Sequence, residues 1–202
     1  MDSRAIRKKF GQDYAADERT FVMGIDQRLT AEIAVRFRNR WVLETCTGAG
    51  FTTIALARQA LRVITIEIDP ICQAQAKQNL ATAGLADRVK FVLADIMDEK
   101  SWNGLSRVDA AFLDPDWAIT GPNQIHHFLH STTRPPADAL LERTLRATRN
   151  VALILPPILD TRELNGLPVH ELQKLYIGQN HELYCLYFGN LAIQPGETEL
   201  RV

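Results

Sequence analysis

The sequence predicts an α/β fold built around a mostly parallel β-sheet, and two observations predict it. The first is a strand–turn–helix–strand unit over residues 41–69, in which apolar strands flank a turn that contains Gly48 and Gly50. The second is the repetition of this pattern, because further short apolar strands end at residues 93, 113 and 155 and alternate with helical segments. Such alternation is typical of parallel sheets with helices on both faces.

The first unit has the pattern of a nucleotide-binding crossover. A buried strand, Trp41–Thr45, is followed by the glycine turn, a helix and a second strand that ends at Glu67. Glycine lets the backbone approach a ligand closely, because it has no side chain. A carboxylate at the end of the second strand accepts hydrogen bonds from the hydroxyls of a ribose. We therefore expect Gly48, Gly50 and Glu67 to bind a nucleoside.

The spacing of the turn distinguishes between nucleoside cofactors. Dinucleotide sites have Gly or Ala three positions after the second glycine, whereas this chain has Thr53 there. Glu44, near the end of the first strand, would repel a pyrophosphate but suits a cationic ligand. S-adenosylmethionine carries an ammonium group and a sulfonium group and no phosphate. The pattern therefore favours S-adenosylmethionine over NAD or FAD as the cofactor.

The next helix and strand continue the α/β pattern. Asp69 and Pro70 are typical of a helix start, and this helix is expected to run to Ala83. Asp95 follows the strand Val89–Leu93. It is placed either to meet the amino group of an adenine or to cap the end of the strand.

A second informative motif follows the fourth strand. Val108–Leu113 runs into the tetrapeptide Asp114-Pro115-Asp116-Trp117, and open α/β sheets bind ligands at the carboxyl ends of their strands. Proline favours an extended Asp114, whose carboxylate would hold an exocyclic amino group. Trp117 offers a flat face on which a base stacks. The alternative is a structural turn with a Trp that covers the core.

Together with the ending YCLYFGNL over residues 184–191, these motifs resemble the trimethylguanosine synthase family of RNA cap guanine-N2 methyltransferases. The resemblance covers residues 14–192 and includes DERTFVMGIDQRLTAEIA, VLETCTGAG, VITIEIDP and ALILPP. It implies a Rossmann-like class I methyltransferase fold with a sheet of seven strands and a C-terminal antiparallel hairpin. It also implies S-adenosylmethionine-dependent methyl transfer to an exocyclic amino group, with guanine N2 of an RNA or of a capped-RNA-like molecule as the leading acceptor.

The resemblance also implies roles for individual residues. The cofactor would contact the turn and the acids of the first half, namely Cys46, Gly48, Gly50, Glu67 and Asp95, to which the charge argument above adds Glu44. The target guanine would be held by the catalytic residues Asp114, Pro115 and Trp117, with Asp116 as a further substrate contact.

Two positions depart from the family pattern, which has two prolines before the Trp and glycine after it. Asp116 replaces the second proline, and Ala118 replaces a glycine. Asp116 either substitutes for a cap-specific contact, for example by pairing with the cationic ring of 7-methylguanine, or marks a different substrate or an inactive site. Two alternatives therefore stay open: a noncatalytic cofactor-binding protein of RNA processing, and a methyltransferase that acts on a small molecule or a protein.

The composition agrees with one α/β domain. The chain has 202 residues, of which 46% are hydrophobic, and contains no apolar run long enough to span a bilayer. We expect an N-terminal entry segment over residues 1–28 and the methyltransferase domain over residues 29–202. The three cysteines lack a metal or disulfide spacing and the N-terminus lacks a signal-peptide pattern, which together predict a cytoplasmic protein.

The charge pattern limits binding to nucleic acids. A net charge of −1 argues against broad, nonspecific binding of RNA. A basic cluster at Arg4, Arg7, Lys8 and Lys9 is either an arm that grips phosphates or the solvated face of a helix.

A long polar segment over residues 118–136 is expected to act as a lid or substrate loop. It contains His126, His127 and His130. We expect these histidines to contact RNA, and we expect no metal, because the pattern places no carboxylate ligand near them.

Overall fold

A computed structural model describes residues 1–105, 108–117 and 125–202, which form two compact units, Met1–Arg107 and Val108–Val202. The helices are α1 (Ser3–Phe10), α2 (Glu18–Met23), α3 (Gln27–Val35), α4 (Phe51–Gln59), α5 (Pro70–Thr82) and α6 (Ala137–Ala147). The strands are β1 (Trp41–Thr45), β2 (Arg62–Glu67), β3 (Val89–Leu93), β4 (Ala110–Leu113), β5 (Val151–Leu155), β6 (His170–Ile177), β7 (Asn180–Phe188) and β8 (Gly196–Arg201).

The first unit carries three parallel strands in the order β3-β2-β1. Four of the five residues of β1 and five of the six residues of β2 are buried. Strands that are covered on both faces read as continuous apolar runs, which explains why the sequence predicts β1 and β2 with their observed ends. Because these strands are parallel, their carboxyl ends, at Thr45 and Glu67, lie at the same edge.

Capping residues explain where the helices of the first unit begin. Asp69 accepts a hydrogen bond from the backbone N–H of Ile71 at 2.8 Å, as expected of the residue that caps α5. Asp26 accepts one from the backbone N–H of Arg28 at 2.9 Å. For this reason α3 begins at Gln27.

The N-terminal basic cluster lies on a helix whose apolar face is buried. Ile6 and Phe10 of α1 are buried, and the Lys9 ammonium group donates to the carbonyl of Phe21 at 2.7 Å. Lys9 therefore stabilises the end of α2, while Arg4 and Lys8 face solvent. The cluster is a helix face, the second of the two expected arrangements.

The second unit contains five strands in the order β4-β5-β7-β6-β8. The pair β4–β5 is parallel, whereas β7 runs antiparallel to both β5 and β6. The pair β6–β7 is the hairpin that the resemblance implied. Most strand pairs in the two units are parallel, so the predicted fold class is confirmed.

An eighth strand, β8, was not predicted. It pairs parallel with β6, and its sequence, GETELR, is too polar to be recognised as a strand. Buried Glu171 holds it in place, because this carboxylate accepts hydrogen bonds from the Thr198 hydroxyl and from the backbone N–H of Ile193, each at 2.7 Å. Within the described ranges, every helix is too short or too polar to cross a membrane.

Candidate active site

The glycine turn after β1 brings together two glycines with different roles. A Cβ atom at Gly48 would meet nothing within 4 Å, so this part of the backbone faces open space. A Cβ atom at Gly50 would lie 3.0 Å from the side chains of Ala76 and Leu80, so this glycine lets α4 pack closely against α5. Both have a positive φ, as does Cys46 at 62°. Gly48 is therefore the position at which a ligand can approach the backbone.

Glu67 bridges the turn and the end of β2. Its Oε2 atom accepts from the backbone N–H of Gly48 at 2.9 Å, and its Oε1 atom accepts from those of Ile68 and Asp69 at 3.0 and 2.9 Å. A carboxylate has about four acceptor positions, so one remains for a ligand. The structure thus brings Gly48 and Glu67 together, as the sequence predicts.

Glu44 lies inside the protein rather than at its surface. It is 2% exposed, and its carboxyl accepts a hydrogen bond from the Thr53 hydroxyl at 2.6 Å. Burial raises the pKa of Glu44 to about 7, and the charge of Glu67 adds to this rise, whereas hydrogen bonds from Thr53 and Thr65 oppose it. The observed role of Glu44 is to connect β1 to α4, and direct contact with a ligand stays a prediction.

Thr53 is the residue at which the turn departs from a dinucleotide fingerprint. Its hydroxyl donates to the Glu44 carboxyl, so the departure and the acid belong to one hydrogen-bonded pair. The sequence contained both residues, and their spacing of nine gave no sign that they would meet.

Asp95 forms the turn cap that was one of its two expected roles. Its side chain is exposed, and Oδ1 accepts from the backbone N–H of Met97 at 2.8 Å. The expected contact with an adenine stays a prediction.

Three exposed apolar side chains are neighbours of Glu67. Two of them follow it in the sequence, and the third is its register partner on β3. Ile68 and Ile71 are 65% and 66% exposed, and Leu93, the register partner of Glu67, is 53% exposed. Apolar side chains at the carboxyl end of parallel strands form a surface on which a planar base can lie. These side chains were not predicted, although an isoleucine directly after the strand acid was a visible signal.

The tetrapeptide after β4 lies in the second unit and is held through its backbone. Asp116 and Arg134 exchange two backbone hydrogen bonds. The N–H of Asp116 donates to the carbonyl of Arg134 at 3.0 Å, and the N–H of Arg134 donates to the carbonyl of Asp116 at 2.9 Å. Pro115 is buried, whereas Asp114, Asp116 and Trp117 are half-buried. The loop therefore has a fixed path and partly accessible side chains. Ala118 lies outside the described residues.

The segment that pairs with the loop is itself ordered by buried hydroxyls. The Thr133 hydroxyl donates to the carbonyl of Pro135 at 2.8 Å and lies 3.0 Å from the Ser131 hydroxyl. No role was predicted for these hydroxyl residues. Their segment meets the loop only through the pairing of Arg134 with Asp116, two residues that are far apart along the chain.

The histidine segment is closer to carboxylates than the sequence pattern suggested. His127 Nδ1 lies 2.7 Å from an oxygen of Glu163, and Asp160 is near both residues. The stated reason for expecting no metal is therefore wrong. The carboxylates have other partners, because Asp160 pairs with Arg162 at 2.6 Å and Glu163 accepts backbone N–H groups of residues 128 and 129.

His126 is buried in a backbone bridge to the 158–160 segment. Residues 118–124 of the expected lid lie outside the described part of the chain.

Comparisons with known proteins agree on a methyltransferase class. A relative, the trimethylguanosine synthase of Schizosaccharomyces pombe, is 33% identical over 134 residues, which are 61% of this chain and 53% of that protein. A catechol O-methyltransferase of Mycobacterium tuberculosis is 39% identical over 87 residues, which are 42% of this chain and 40% of that protein. The chain thus spans about half, or less, of the length of these curated relatives.

A solved structure shows the same fold. The T. thermophilus 16S rRNA N2 G1207 methyltransferase, in complex with AdoMet and guanosine, superposes with a TM-score of 0.59 at 17% identity. The match covers 86% of this chain and 43% of that chain.

The family model for RNA cap guanine-N2 methyltransferases matches residues 39–188, a span that contains both the glycine turn and the Asp114–Trp117 loop. The chain therefore belongs to the RNA cap guanine-N2 methyltransferase family.

Proposed function

We propose that this protein is an S-adenosylmethionine-dependent methyltransferase that methylates N2 of guanine in an RNA or in a capped-RNA-like substrate. The observation that carries the proposal is the family match over residues 39–188, because it includes the cofactor turn and the substrate loop in one continuous span. The similarity to the trimethylguanosine synthase of Schizosaccharomyces pombe supports the same acceptor class.

The residues of the first unit suit a nucleoside with a cationic tail. Glu67 keeps one acceptor position for a ribose hydroxyl, Gly48 leaves room beside its backbone, and Ile68 provides an exposed apolar surface for the base. When bound, S-adenosylmethionine supplies a methyl group activated by the positive charge on its sulfur. A second ribose hydroxyl requires Glu67 to release one of its three backbone partners. We infer that the Gly48 bond opens, because the other two lie within the same β2–α5 connection.

The residues of the substrate loop suit a planar base with an exocyclic amine. In the proposed mechanism the Asp114 carboxylate accepts a hydrogen bond from the amine, and the Pro115 carbonyl accepts a second one. Trp117 stacks on the guanine ring, an interaction worth about 1–3 kcal/mol. The two acceptors would fix the orientation of the nitrogen lone pair for transfer of a methyl group. Such positioning lowers a barrier by roughly 7–11 kcal/mol.

The proton of the amine requires no strong base in this mechanism. Transfer from a sulfonium has a good leaving group, so the nitrogen attacks as a neutral amine and loses its proton afterwards. Asp114, which already accepts a hydrogen bond from the amine, is the first acceptor for that proton.

The experiment that tests the proposal is transfer of a labelled methyl group from S-adenosylmethionine to capped RNA, uncapped RNA and free guanine nucleotides. Mass spectrometry of the digested product locates the methyl group. We expect N2-methylated guanine, and we expect Asp114→Ala to form it at least about 100-fold more slowly. Label on another atom, or label on RNA that Asp114→Ala retains, would contradict the proposal.

A second candidate is a methyltransferase for small molecules, which the match to the catechol O-methyltransferase and the net charge of −1 favour. Ribonuclease treatment of a cell extract separates the two candidates. Labelling of an RNA acceptor disappears after the treatment, whereas labelling of a small molecule or a protein persists. A noncatalytic protein would bind S-adenosylhomocysteine and label nothing in either extract.

A further inference from the structure

Asn79 of α5 occupies a place between two parts of the first unit. It is fully buried, and one side-chain nitrogen donates both of its hydrogens, to the carbonyl of Ala15 at 2.8 Å and to that of Ala49 at 2.9 Å. Its oxygen accepts from the backbone N–H of Ala15 at 2.7 Å. Both N–H donors of the amide are thus used by backbone groups of two distant segments.

One of these segments is the cofactor turn. Ala49 lies between Gly48, whose backbone N–H is held by Glu67, and Gly50, which packs on α5. The hydrogen bond from Asn79 therefore fixes the position of Ala49, and with it the turn, relative to α5. A displacement of Ala49 displaces the Gly48 N–H group that contacts Glu67.

The other segment, which we call the N-terminal strap, consists of residues 13–20 and lies along α5. Besides the contact of Ala15 with Asn79, the Asp17 carboxylate accepts from the Gln75 side chain at 2.9 Å. Arg19 lies 3.5 Å from the Asp69 carboxylate at the start of α5. The strap thus contacts α5 along most of the helix. Of the three contacts named here, the one at Asn79 also involves the turn.

We propose that Asn79 is a positioning residue that couples the N-terminal strap to the cofactor turn. The inference rests on the proposed binding of a cofactor at this turn. Because one amide is bonded to both segments, a ligand that fixes the turn also fixes the strap. By linkage, an ordered strap strengthens binding of the ligand at the turn by the same factor.

Two variants of the full chain separate the ends of this connection. Asn79→Asp removes both donated hydrogen bonds and leaves the carbonyls of Ala15 and Ala49 without a donor. Ala15→Pro removes the N–H group that donates to Asn79 and restricts the backbone of the strap at residues 14 and 15, and it leaves the bond to Ala49 in place. Gln78→Glu is the matched control, because it makes the same amide-to-carboxylate change at the adjacent, exposed position of α5.

The measurements are the dissociation constant of S-adenosylhomocysteine by calorimetry and hydrogen exchange of residues 13–20 with and without it. In the wild type, we expect exchange in the strap to slow when the ligand binds. In Asn79→Asp, we expect the dissociation constant to rise about tenfold and exchange in the strap to become fast and independent of ligand. Ala15→Pro should weaken binding about threefold, and Gln78→Glu should match the wild type.

Wild-type affinity in Ala15→Pro, or strap exchange that ignores the ligand in the wild type, would overturn the coupling. If Asn79→Asp does not fold, Ala15→Pro still decides, because it leaves α5 unchanged. Failure of the proposed cofactor is distinguishable from failure of the coupling, because the wild-type protein itself would then not bind S-adenosylhomocysteine.

Discussion

The glycine turn of the first unit and the Asp114–Trp117 loop of the second unit are held in different ways. Buried or nearly buried side chains hold the turn, since Glu67 bonds to Gly48 and Asn79 bonds to Ala49. The substrate loop is held by backbone hydrogen bonds between Asp116 and Arg134, which leave its acidic and aromatic side chains partly accessible. The turn is thus held by side chains of other elements, whereas the loop is held through backbone groups of the segment that pairs with it.

This difference predicts separate consequences of substitution. Changes around the turn should alter cofactor affinity and stability together, because the same hydrogen bonds serve both. Changes of loop side chains should alter turnover or acceptor affinity and leave the cofactor site intact.

Asp114→Ala should lower kcat by at least about 100-fold, because the amine loses the acceptor that orients it. The dissociation constant of S-adenosylhomocysteine should change by less than about twofold, since the turn lies outside the altered loop. Steady-state kinetics and calorimetry on the same preparation measure both quantities. Equal losses of turnover and cofactor affinity would contradict the separation of the two regions. Asp87→Ala, at an exposed position, is the control.

Glu44 should make the stability of the protein depend on pH. Its folded-state pKa of about 7 is above its ordinary value of 4.5, so the stabilising protonated form is fully present below pH 4.5 and is lost as pH rises through 7. The free energy of unfolding should fall by about 3 kcal/mol across this window. Urea unfolding between pH 5 and 8 measures it.

Glu44→Gln isolates this contribution, because it keeps a group that can accept from Thr53 and cannot ionise. The other titrating groups are common to both proteins, so the pH dependence should be smaller in the variant. Identical pH dependence in wild type and variant would show that the carboxyl does not titrate in this window.

Glu67→Gln should raise the dissociation constant of S-adenosylhomocysteine about 30-fold, because a charged acceptor is replaced and an amide N–H then faces backbone N–H groups. The Michaelis constant for the acceptor at saturating cofactor should stay unchanged. Calorimetry tests the first expectation and steady-state kinetics tests the second. Glu99→Gln, at an exposed position, should leave both values unchanged. A change in the Michaelis constant for the acceptor alone would contradict the assignment of Glu67 to the cofactor site.

Trp117→Ala should raise the Michaelis constant for the acceptor about tenfold through loss of base stacking. Trp117→Phe retains an aromatic face and should recover most of the affinity. Unchanged kinetics in Trp117→Ala would show that this side chain only packs against the loop.

Local signals in the sequence predicted much of the fold and one half of the site. The caps at Asp69, the glycines of the turn and the apolar strands are read within a few residues, so the strand ends at Thr45 and Glu67 were correct. The structure also brings Gly48 and Glu67 together, as their positions in the crossover predict, whereas their contact with a cofactor stays a prediction.

Contacts between distant segments could not be predicted in this way. Asn79 meets Ala15 across 64 residues, and His127 meets Glu163 across 36 residues. The polar strand β8 pairs with β6 without an apolar pattern of its own. Such pairings depend on the packing of the whole unit, which a local pattern does not encode.

The most direct test of the cofactor assignment is a calorimetric titration of the wild-type protein with S-adenosylhomocysteine, run beside NAD. Our account predicts a dissociation constant on the order of 1 μM for S-adenosylhomocysteine and no measurable binding of NAD. Binding of NAD in place of S-adenosylhomocysteine, or binding of neither, would contradict the assignment of Gly48 and Glu67 to a methyl-donor site.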